Sequence, residues 1–422
     1  AMEQVVCKGQ LCFSTGPETR QSIPDGFLVC TDGICRGAFS TLPEAYRDLP
    51  LLDFGNRLIL PGLVDLHLHA PQFAYRGLGM DLELLDWLNT HTFPEEAKYR
   101  ELSYAAPAYR QFVQTLQSSF TTRAVMFATA HTPATEYLMD LLEESGLETY
   151  VGRVNMDQNC PENLREPSPA AAIAETRRWL ADVDGRYRRT RPILTPRFVP
   201  SCSEALLSGL GELARQTDLP VQSHLSENLG EIALVKQQYP DASCYAQVYE
   251  RFGLLDTGCI LAHCVHSGPE ELSILKQRGV YIAYSPESNM NLASGAAPVS
   301  RYLKQGLRVG LASDLAGGSS LNLFQAMAHA VQASKLRWRL LDQQTPPLTF
   351  DQAFYLATLG GGRFFGSVGT FADGYQFDAL VLDDSCYPSV LPLTIEQRVE
   401  RLAYLSEPSC LVAKFISGKR VV

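Results

Sequence analysis

Residues 61–72 read PGLVDLHLHAPQ, an apolar run that begins at a Pro-Gly pair and carries two histidines, His67 and His69. Side chains of a β-strand alternate between its two faces, so histidines two residues apart project from the same face. Neutral imidazole nitrogen is a preferred ligand of Zn²⁺, and two imidazoles on one strand supply half of a tetrahedral site. The alternative is a pair of core histidines, whose ring nitrogens would need buried hydrogen-bond partners. The remainder of the chain has to decide between these interpretations.

The middle of the chain alternates apolar strand-like runs with helical patterns, which is typical of βα units and a parallel sheet. The candidate strands are residues 63–69, 124–129, 149–155, 193–198, 221–224, 259–263, 280–284 and 308–312. Candidate helices include residues 104–116, 170–180, 203–216, 270–277 and 322–336. Eight strands in roughly 300 residues predict an α/β fold of the (β/α)8 TIM-barrel type. An open doubly wound sheet is the alternative, although the chain has no Gly-rich dinucleotide turn.

The two ends of the chain have a different sequence pattern, in which short apolar runs alternate with turn-forming residues. This pattern is typical of short antiparallel strands. We expect the two ends to pair into one small β-sandwich domain, with the barrel inserted between them. The predicted parts are residues 1–61 and 366–422 for the β domain and residues 62–365 for the barrel.

The composition is that of an acidic globular protein. The 422 residues carry a formal net charge of −10, with 45% hydrophobic and 19% charged residues. A negative net charge gives no attraction to nucleic acid or to an anionic membrane, and no apolar run is long enough to span a bilayer. Eleven cysteines, an odd number in a long chain, indicate reduced thiols rather than a disulfide framework. We therefore expect a cytoplasmic protein without nucleic-acid or membrane partners.

Potential metal ligands lie where candidate strands end, and in a barrel this is where the chemistry occurs. His67 and His69 end the first strand, His224 the fifth and His263 the sixth, and Asp314 follows the eighth. Imidazoles together with a carboxylate suit Zn²⁺, with Fe²⁺ as the alternative, and leave a position for water. The pattern therefore predicts a metal site.

Glu227 follows His224 by three residues, where the fifth strand gives way to a helix. A carboxylate beside a metal-bound water that is not itself a ligand is suited to shuttle protons. The alternative is a carboxylate in the first turn of a helix, favoured by the helix dipole. The remaining histidines are weaker candidates. His91 is a candidate for a loop over the pocket and His131 for contact with the substrate or a metal ligand, whereas His266 is assigned to the loop after the sixth strand and His329 to helix packing.

With these residues in place, the sequence resembles the amidohydrolase superfamily and, more narrowly, its guanine deaminases. The resemblance covers nearly the whole chain in order. It is carried by PGLVDLHLH together with LLDWLNTHTFPEE (84–96), TPRF (195–198), SHLSEN (223–228), AHCVH (262–266), SDLAGGSS (313–320) and LATLGG (356–361). Binuclear hydrolases of this barrel type use a bridging lysine on a mid-barrel strand. The fourth candidate strand has no lysine, so we expect one ion per chain.

The resemblance implies specific roles. The metal ligands would be His67, His69, His224 and Asp314, and Glu227 would be the proton shuttle. His263 would contact the bound water or the substrate, and whether it also coordinates the metal stays open. Two groups of residues would contact the substrate. Those near the metal would be His69, His224, Glu227 and Asp314, and those elsewhere in the pocket would be Gln72, Arg197, Phe198, Trp87 and Leu88. Trp87 and Leu88 would lie on a loop that closes the pocket.

The implied reaction is hydrolytic deamination of guanine to xanthine and ammonia, catalysed by a homodimer. A deaminase of another amino-heterocycle, such as an 8-oxopurine, a pterin or an s-triazine, would share the metal site. A barrel that has lost catalysis and serves as a scaffold is a further alternative, against which the retention of every ligand and of Glu227 argues.

Overall fold

The computed structural model describes residues 4–422 and shows a mixed α/β protein. The predicted β domain begins at residue 1, and residues 1–3 lie outside the described part of the chain. The strands, in chain order, are β1 (Gln4–Gly16), β2 (Thr19–Thr31), β3 (Ile34–Phe39), β4 (Leu51–Pro61), β5 (Leu63–His69), β6 (Thr121–Phe127), β7 (Glu148–Gly152), β8 (Val154–Asn155), β9 (Thr190–Pro192), β10 (Thr195–Pro196), β11 (Val221–Leu225), β12 (Cys259–His263), β13 (Tyr281–Tyr284), β14 (Arg308–Leu311), β15 (Ala379–Leu382), β16 (Leu411–Ile416) and β17 (Lys419–Arg420).

The helices include counterparts of the five predicted from the sequence, at residues 102–117, 169–183, 204–217, 269–277 and 323–340. The α-helices are α1 (Leu84–Trp87), α2 (Phe93–Ala97), α3 (Leu102–Gln117), α4 (Thr132–Ser145), α5 (Pro169–Val183), α6 (Glu204–Thr217), α7 (Leu229–Gln238), α8 (Tyr245–Arg251), α9 (Pro269–Gln277), α10 (Pro286–Asn291), α11 (Val299–Lys304), α12 (Leu323–Leu340), α13 (Phe350–Tyr355) and α14 (Ile395–Leu405). A π-helical turn, Leu88–Thr92, joins α1 to α2. No helix in the described residues is long and apolar enough to cross a membrane.

Both ends of the chain build one seven-stranded sheet, in the order β17-β16-β15-β4-β1-β2-β3. This arrangement is consistent with the predicted small β domain made from both termini. The expectation of antiparallel strands is wrong for one pair, because β1 and β4 run parallel. The connection between β3 and β4 is long enough to carry the chain to the free side of β1, whereas a tight hairpin would have enforced antiparallel pairing.

The middle of the chain forms two four-stranded parallel sheets, β5-β6-β7-β9 and β11-β12-β13-β14. The fourth candidate strand, residues 193–198, is interrupted, and its sequence contributes only the short β10, which pairs with β8. The break marks a change of partner, because the Ile193 N–H donates to the Val151 carbonyl at 3.1 Å, whereas Leu194 forms an isolated parallel bridge with Val221.

Backbone hydrogen bonds join the two parallel sheets at both of their edges. Beyond β14, the Asp314 N–H donates to the His67 carbonyl at 2.9 Å, and the His69 N–H donates to the Leu315 carbonyl at 2.9 Å. At the other edge, Leu194 N–H donates to the Pro220 carbonyl at 3.0 Å. Residues of both sheets and of the segments that follow β9 and β14 also contribute to one apolar cluster, which contains Val64, Leu66, Val125, Ile193, Ile260, Ala262, Ala283 and Ala312.

The segment that contains the first two histidines, β5, is buried along its whole length. Strands of a parallel sheet are covered on both faces, which explains the apolar residues between and before the histidines. Gly62 lets the chain enter β5, because a Cβ at this position would lie 2.2 Å from the Thr122 side chain. Gly62 is therefore required by the close approach to β6.

A buried ion pair connects the parallel sheets to the seven-stranded sheet. Arg123 Nε on β6 donates to Asp378 Oδ2 at 2.6 Å, and the Arg123 and Asp378 side chains are 4% and 1% exposed. Asp378 Oδ1 also accepts the Ser417 N–H at 2.9 Å. A carboxylate in such a site depends on its cation, because water cannot replace it.

We expect Arg123→Met to lower the free energy of unfolding by about 3–5 kcal/mol, because it leaves the Asp378 carboxylate buried without its cation. Urea unfolding followed by circular dichroism measures this change. The matched control is Arg47→Met, which removes an exposed ion pair between Arg47 and Glu44 at 2.8 Å and should cost less than about 1 kcal/mol. Equal effects of the two substitutions would contradict the assignment.

Candidate active site

The strand-end histidines and the aspartate meet at one buried point. His67 Nε2 lies 3.1 Å and His69 Nε2 3.6 Å from Asp314 Oδ1. His224 Nε2 lies 3.3 Å from His69 Nε2, and His263 Nε2 lies 3.6 Å from Asp314 Oδ2. All five side chains are buried. The structure therefore brings together the residues that the strand ends predicted, from β5, β11, β12 and the segment after β14.

These separations fit the donor set of one divalent metal ion. Two ligand atoms bound tetrahedrally at ~2.1 Å lie ~3.4 Å apart. Donor atoms of His67, His69 and His224, and likewise those of His67, His263 and Asp314, lie within 4.8 Å of one another. The approach of the buried His67 Nε2 to Asp314 Oδ1, at 3.1 Å, does not have hydrogen-bond geometry, so this nitrogen has no hydrogen-bond partner in the described part of the chain. A buried polar atom of this kind is costly unless it binds something, so the residues fit a metal.

Two of the imidazoles are oriented by groups on their far side. His224 Nδ1 lies 2.5 Å from the Arg197 carbonyl oxygen, which can only accept, so Nδ1 carries the proton. His263 Nδ1 lies 2.8 Å from Asn289 Oδ1 and donates to it. In both rings the Nε2 lone pair is then free and faces the cluster, which is the arrangement that second ring hydrogen bonds impose on metal-binding histidines.

The electrostatics of the cluster favour the forms that bind a cation. Burial, and next the neighbouring His67, hold the pKa of His69 and of His224 well below the usual value for histidine, so both rings stay neutral. Burial alone would raise the pKa of Asp314, but the His67 imidazole and then His263 bring it far below the usual value. Asp314 therefore stays ionised.

Glu227 differs from Asp314 although it is buried in the same place. Its Oε2 lies 3.4 Å from His263 Nε2. Burial, and next the negative charge of Asp314, raise its pKa well above the usual value. Glu227 precedes the N-cap of α7, which is Asn228, so it does not belong to the first turn of that helix. The first-turn carboxylate of α7 is Glu231.

Three residues at the site adopt left-handed backbone conformations without being glycine. The φ angles are +82° at His263, +45° at Asp314 and +49° at Ser226. Such conformations cost about 1–3 kcal/mol each and are retained where the surrounding structure enforces them. Here they turn the chain sharply at strand ends and bring side chains into the cluster.

Besides Asn289, two more residues that support the cluster were not predicted. Asp65 Oδ1 accepts the N–H groups of His67 at 3.2 Å and Ser313 at 3.0 Å, which ties both sides of the cluster together. Burial raises the pKa of Asp65 to about 6. Ser288 Oγ on α10 donates to Asp314 Oδ2 at 2.6 Å. The position of α10 directly after the strand β13 was the available signal, because βα loops of this kind carry site residues.

A pocket opens onto the cluster from the side of α1. Its walls include every substrate-contacting residue expected from the sequence, together with Leu84 and Leu292. The lining residues are His69, Gln72, Leu84, Trp87, Leu88, Arg197, Phe198, His224, Glu227, His263, Leu292 and Asp314. A wider cleft between α7 and α9 is lined by other residues and has no comparable set of ligands.

The four remaining histidines lie outside this pocket. The His91 ring stacks on Tyr75, with ring centres 6.0 Å apart. His131 is the N-cap of α4. His266 Nε2 lies 2.7 Å from the Ser294 carbonyl oxygen. His329 is partly exposed, with Nδ1 3.9 Å from Glu287 Oε2. Neither His91 nor His131, which were candidates for contact with the pocket, is among the residues that line it.

Comparisons with known proteins agree with this geometry. The Amidohydrolase family matches residues 58–421. A probable guanine deaminase of Schizosaccharomyces pombe is 39% identical over 376 residues, 86% of this chain and 71% of that protein. A guanine deaminase of Dictyostelium discoideum is 34% identical, over 96% of this chain and 89% of that one. The crystal structure of guanine deaminase from C. acetobutylicum with bound guanine in the active site superposes with a TM-score of 0.96 at 42% identity, covering 99% of this chain and 100% of that chain.

We expect Ser288→Ala to weaken metal binding by roughly ten- to a hundredfold, because Asp314 loses the hydroxyl that orients it. Competition with a chromogenic chelator measures the affinity, and elemental analysis measures the metal content. The matched control is Ser285→Ala in the same segment, because the Ser285 hydroxyl is buried and has no hydrogen-bond partner in the described residues. Unchanged affinity in Ser288→Ala, with the fold intact, would contradict the orienting role.

Proposed function

Because the chain belongs to the amidohydrolase family and, within it, to the guanine deaminases, we propose that its buried cluster hydrolyses guanine to xanthine and ammonia. One observation carries the proposal. Donor atoms of His67, His69 and His224 lie within 4.8 Å of one another, and Asp314 Oδ1 lies 3.1 Å from His67 Nε2. Glu227 and Arg197 line the adjoining pocket. A site with metal ligands, a proton-carrying group that is not needed as a ligand, and hydrogen-bond donors for a substrate has the parts that hydrolytic deamination requires.

We propose that the two parallel sheets are the halves of a single (β/α)8 barrel. The hydrogen bonds at both edges and the apolar cluster shared by the two sheets support this arrangement. Residues 62–365 then form the barrel, and residues 1–61 and 366–422 form the small β-sandwich domain. The seven-stranded sheet supports this division, because it contains strands from both ends of the chain.

The protein binds a divalent metal ion, and we propose one Zn²⁺ per chain held by His67, His69, His224 and Asp314, with Fe²⁺ as the alternative. His263 lies close enough to act as a further ligand or to contact the reacting groups. When bound, such an ion lowers the pKa of water to about 7 and thereby supplies hydroxide at neutral pH. The orphaned His67 Nε2 is the observation that supports its position.

The proton transfers fall to Glu227. In the overall reaction the oxygen of one water molecule bonds to C2 of guanine, and the bond between C2 and the exocyclic nitrogen breaks. Glu227, whose pKa is raised by burial, gives its proton to ring nitrogen N3 as the water oxygen adds to C2, and it is reprotonated by that water. The second water proton passes to the exocyclic amino group, which leaves as ammonia. Asp314, which is ionised, accepts or orients the other water proton. Burial of both carboxylates keeps bulk water from competing for these protons.

The walls of the pocket suit a flat purine that carries hydrogen-bond acceptors at O6 and N7. Arg197 can only donate hydrogen bonds, and guanine presents the acceptors O6 and N7. Gln72, which also lines the pocket, supplies a further amide. Phe198 lies 6.3 Å from the His224 ring centre at 84° to it, and with Trp87 and Leu88 it provides apolar surface for the faces of the ring. A homodimer and a cytoplasmic location stay predictions.

We expect Glu227→Gln to keep its metal and to lose roughly 10²–10⁴-fold in kcat for guanine, because the amide cannot carry the proton. The measurement is the conversion of guanine to xanthine followed by absorbance, with metal content determined on the same sample. The control is Glu204→Gln, which removes an exposed first-turn carboxylate of α6 and should have no effect. Full activity of Glu227→Gln would remove this residue from the mechanism.

We also expect the wild-type protein to prefer guanine over adenine by roughly 10⁴-fold in kcat/KM. Adenine carries an amino donor at C6, which would face the donor-only guanidinium of Arg197. A buried donor without an acceptor is costly. Steady-state assays with both purines measure the ratio, and comparable turnover of adenine would contradict this basis of selectivity.

A further inference from the structure

A buried carboxylate that neither binds the metal nor lines the pocket connects two of the substrate-contacting residues. Glu96 lies on the short helix α2 and is 1% exposed. It belongs to the stretch LLDWLNTHTFPEE, of which Leu84, Trp87 and Leu88 line the pocket. Acidic side chains are almost never buried to this extent unless they are paired.

Glu96 accepts hydrogen bonds from two different parts of the chain. Arg197 Nη1 donates to Glu96 Oε2 at 2.7 Å, and Gln72 Nε2 donates to Glu96 Oε1 at 3.3 Å. The far side of the Gln72 amide is also fixed, because the Ala316 N–H donates to Gln72 Oε1 at 3.0 Å. The contacts therefore form a chain that runs Arg197, Glu96, Gln72, Ala316.

The hydrogen-bonding chemistry of Arg197 and of the Ala316 N–H, at the two ends of this chain of contacts, determines the orientation of the Gln72 amide. A guanidinium and a backbone N–H can only donate, and an ionised carboxylate can only accept. Gln72 must therefore point its NH₂ group towards Glu96 and its oxygen towards Ala316. One N–H of the Gln72 amide and the remaining N–H groups of Arg197 stay available, and both residues line the pocket.

We propose that Glu96 is a positioning residue that sets the specificity for a 6-oxopurine, by holding Gln72 and Arg197 so that both present donors to the acceptor edge of the substrate. This inference rests on the proposed guanine deaminase function. Glu96 touches neither the substrate nor the reacting atoms. It acts through its two partners, and its negative charge compensates Arg197 where water is excluded.

Replacement of Glu96 by glutamine makes this chain of contacts impossible to satisfy. If the new amide turns its oxygen to Arg197, its NH₂ group faces Gln72, which must flip and then present NH₂ to the Ala316 N–H. If it turns its NH₂ group to Arg197, two donors face each other directly. Every arrangement leaves one pair of donors opposed, so either Gln72 or Arg197 must leave its position.

The test compares two substrates that are deaminated at the same carbon. 2-Aminopurine has the C2 amino group of guanine but lacks the 6-oxo group. We expect Glu96→Gln to lower the ratio of kcat/KM for guanine to that for 2-aminopurine by roughly ten- to a hundredfold, mainly through KM for guanine. Inhibition constants of hypoxanthine and purine, which differ at the same position, give a second measurement that does not depend on turnover.

The matched control is Glu95→Gln on the same helix. Glu95 is also buried, at 7% exposure, but it pairs with Lys98 at 2.9 Å and with Tyr104 instead. The substrate ratio of this variant should equal that of the wild type. Metal content and the thermal unfolding midpoint are measured for both variants.

Three outcomes would overturn the inference: an unchanged ratio in Glu96→Gln, an equal loss for both substrates, or the same shift in Glu95→Gln. If Glu96→Gln does not fold, Glu96→Asp replaces it. The shorter carboxylate cannot reach both partners, so its ratio must also fall, and a wild-type ratio would count against the inference. A metal-loaded wild-type protein that deaminates neither substrate would instead contradict the proposed function itself.

Discussion

The backbone hydrogen bonds between the end of β5 and the segment after β14 hold the cluster of metal-binding side chains together. The Asp314 N–H donates to the His67 carbonyl, and the His69 N–H donates to the Leu315 carbonyl, each at 2.9 Å. Asp65 adds a third connection, because one of its oxygens accepts N–H groups from both segments. The first two ligands and the last one are therefore fixed by the main chain. Positions set in this way vary little, since neither segment can shift without losing paired backbone groups.

Around this backbone junction, four functional side chains have a hydrogen-bond partner that orients them. The Arg197 carbonyl orients His224, Asn289 orients His263, Ser288 orients Asp314, and Glu96 orients Arg197. Such partners lower the conformational freedom of the ligands before any cation or substrate arrives. The cost of ordering is met during folding, so less of the binding free energy has to offset it later.

Much of the site could be predicted from the sequence because its ligands lie at the ends of apolar strands. The periodicity located β5 and β12 to the residue, and with them His67, His69 and His263. The fourth strand was less predictable, because its backbone pairing changes partner between Ile193 and Leu194. Glu96, Asp65 and Ser288 were not assigned roles because these depend on side-chain contacts between segments far apart in the chain. A local sequence pattern does not indicate which distant carbonyl or carboxylate a buried side chain will contact. The parallel pairing of β1 with β4 was not predicted for the same reason, because it too joins segments that are separated in the chain.

The seven-stranded sheet has a consequence for how the protein is made. β4 pairs with β15 on one side, and more than 300 residues separate the end of β4, at Pro61, from the start of β15, at Ala379. At about 5–20 residues per second, a ribosome needs roughly a quarter of a minute to a minute to synthesise this stretch. During that interval the outer edge of β4 has no partner from its own chain, while the strands on its other side are already complete. The free edge of β4 can then pair with the same edge of a neighbouring nascent chain on one messenger RNA. A chaperone that covers this edge is needed most during that period.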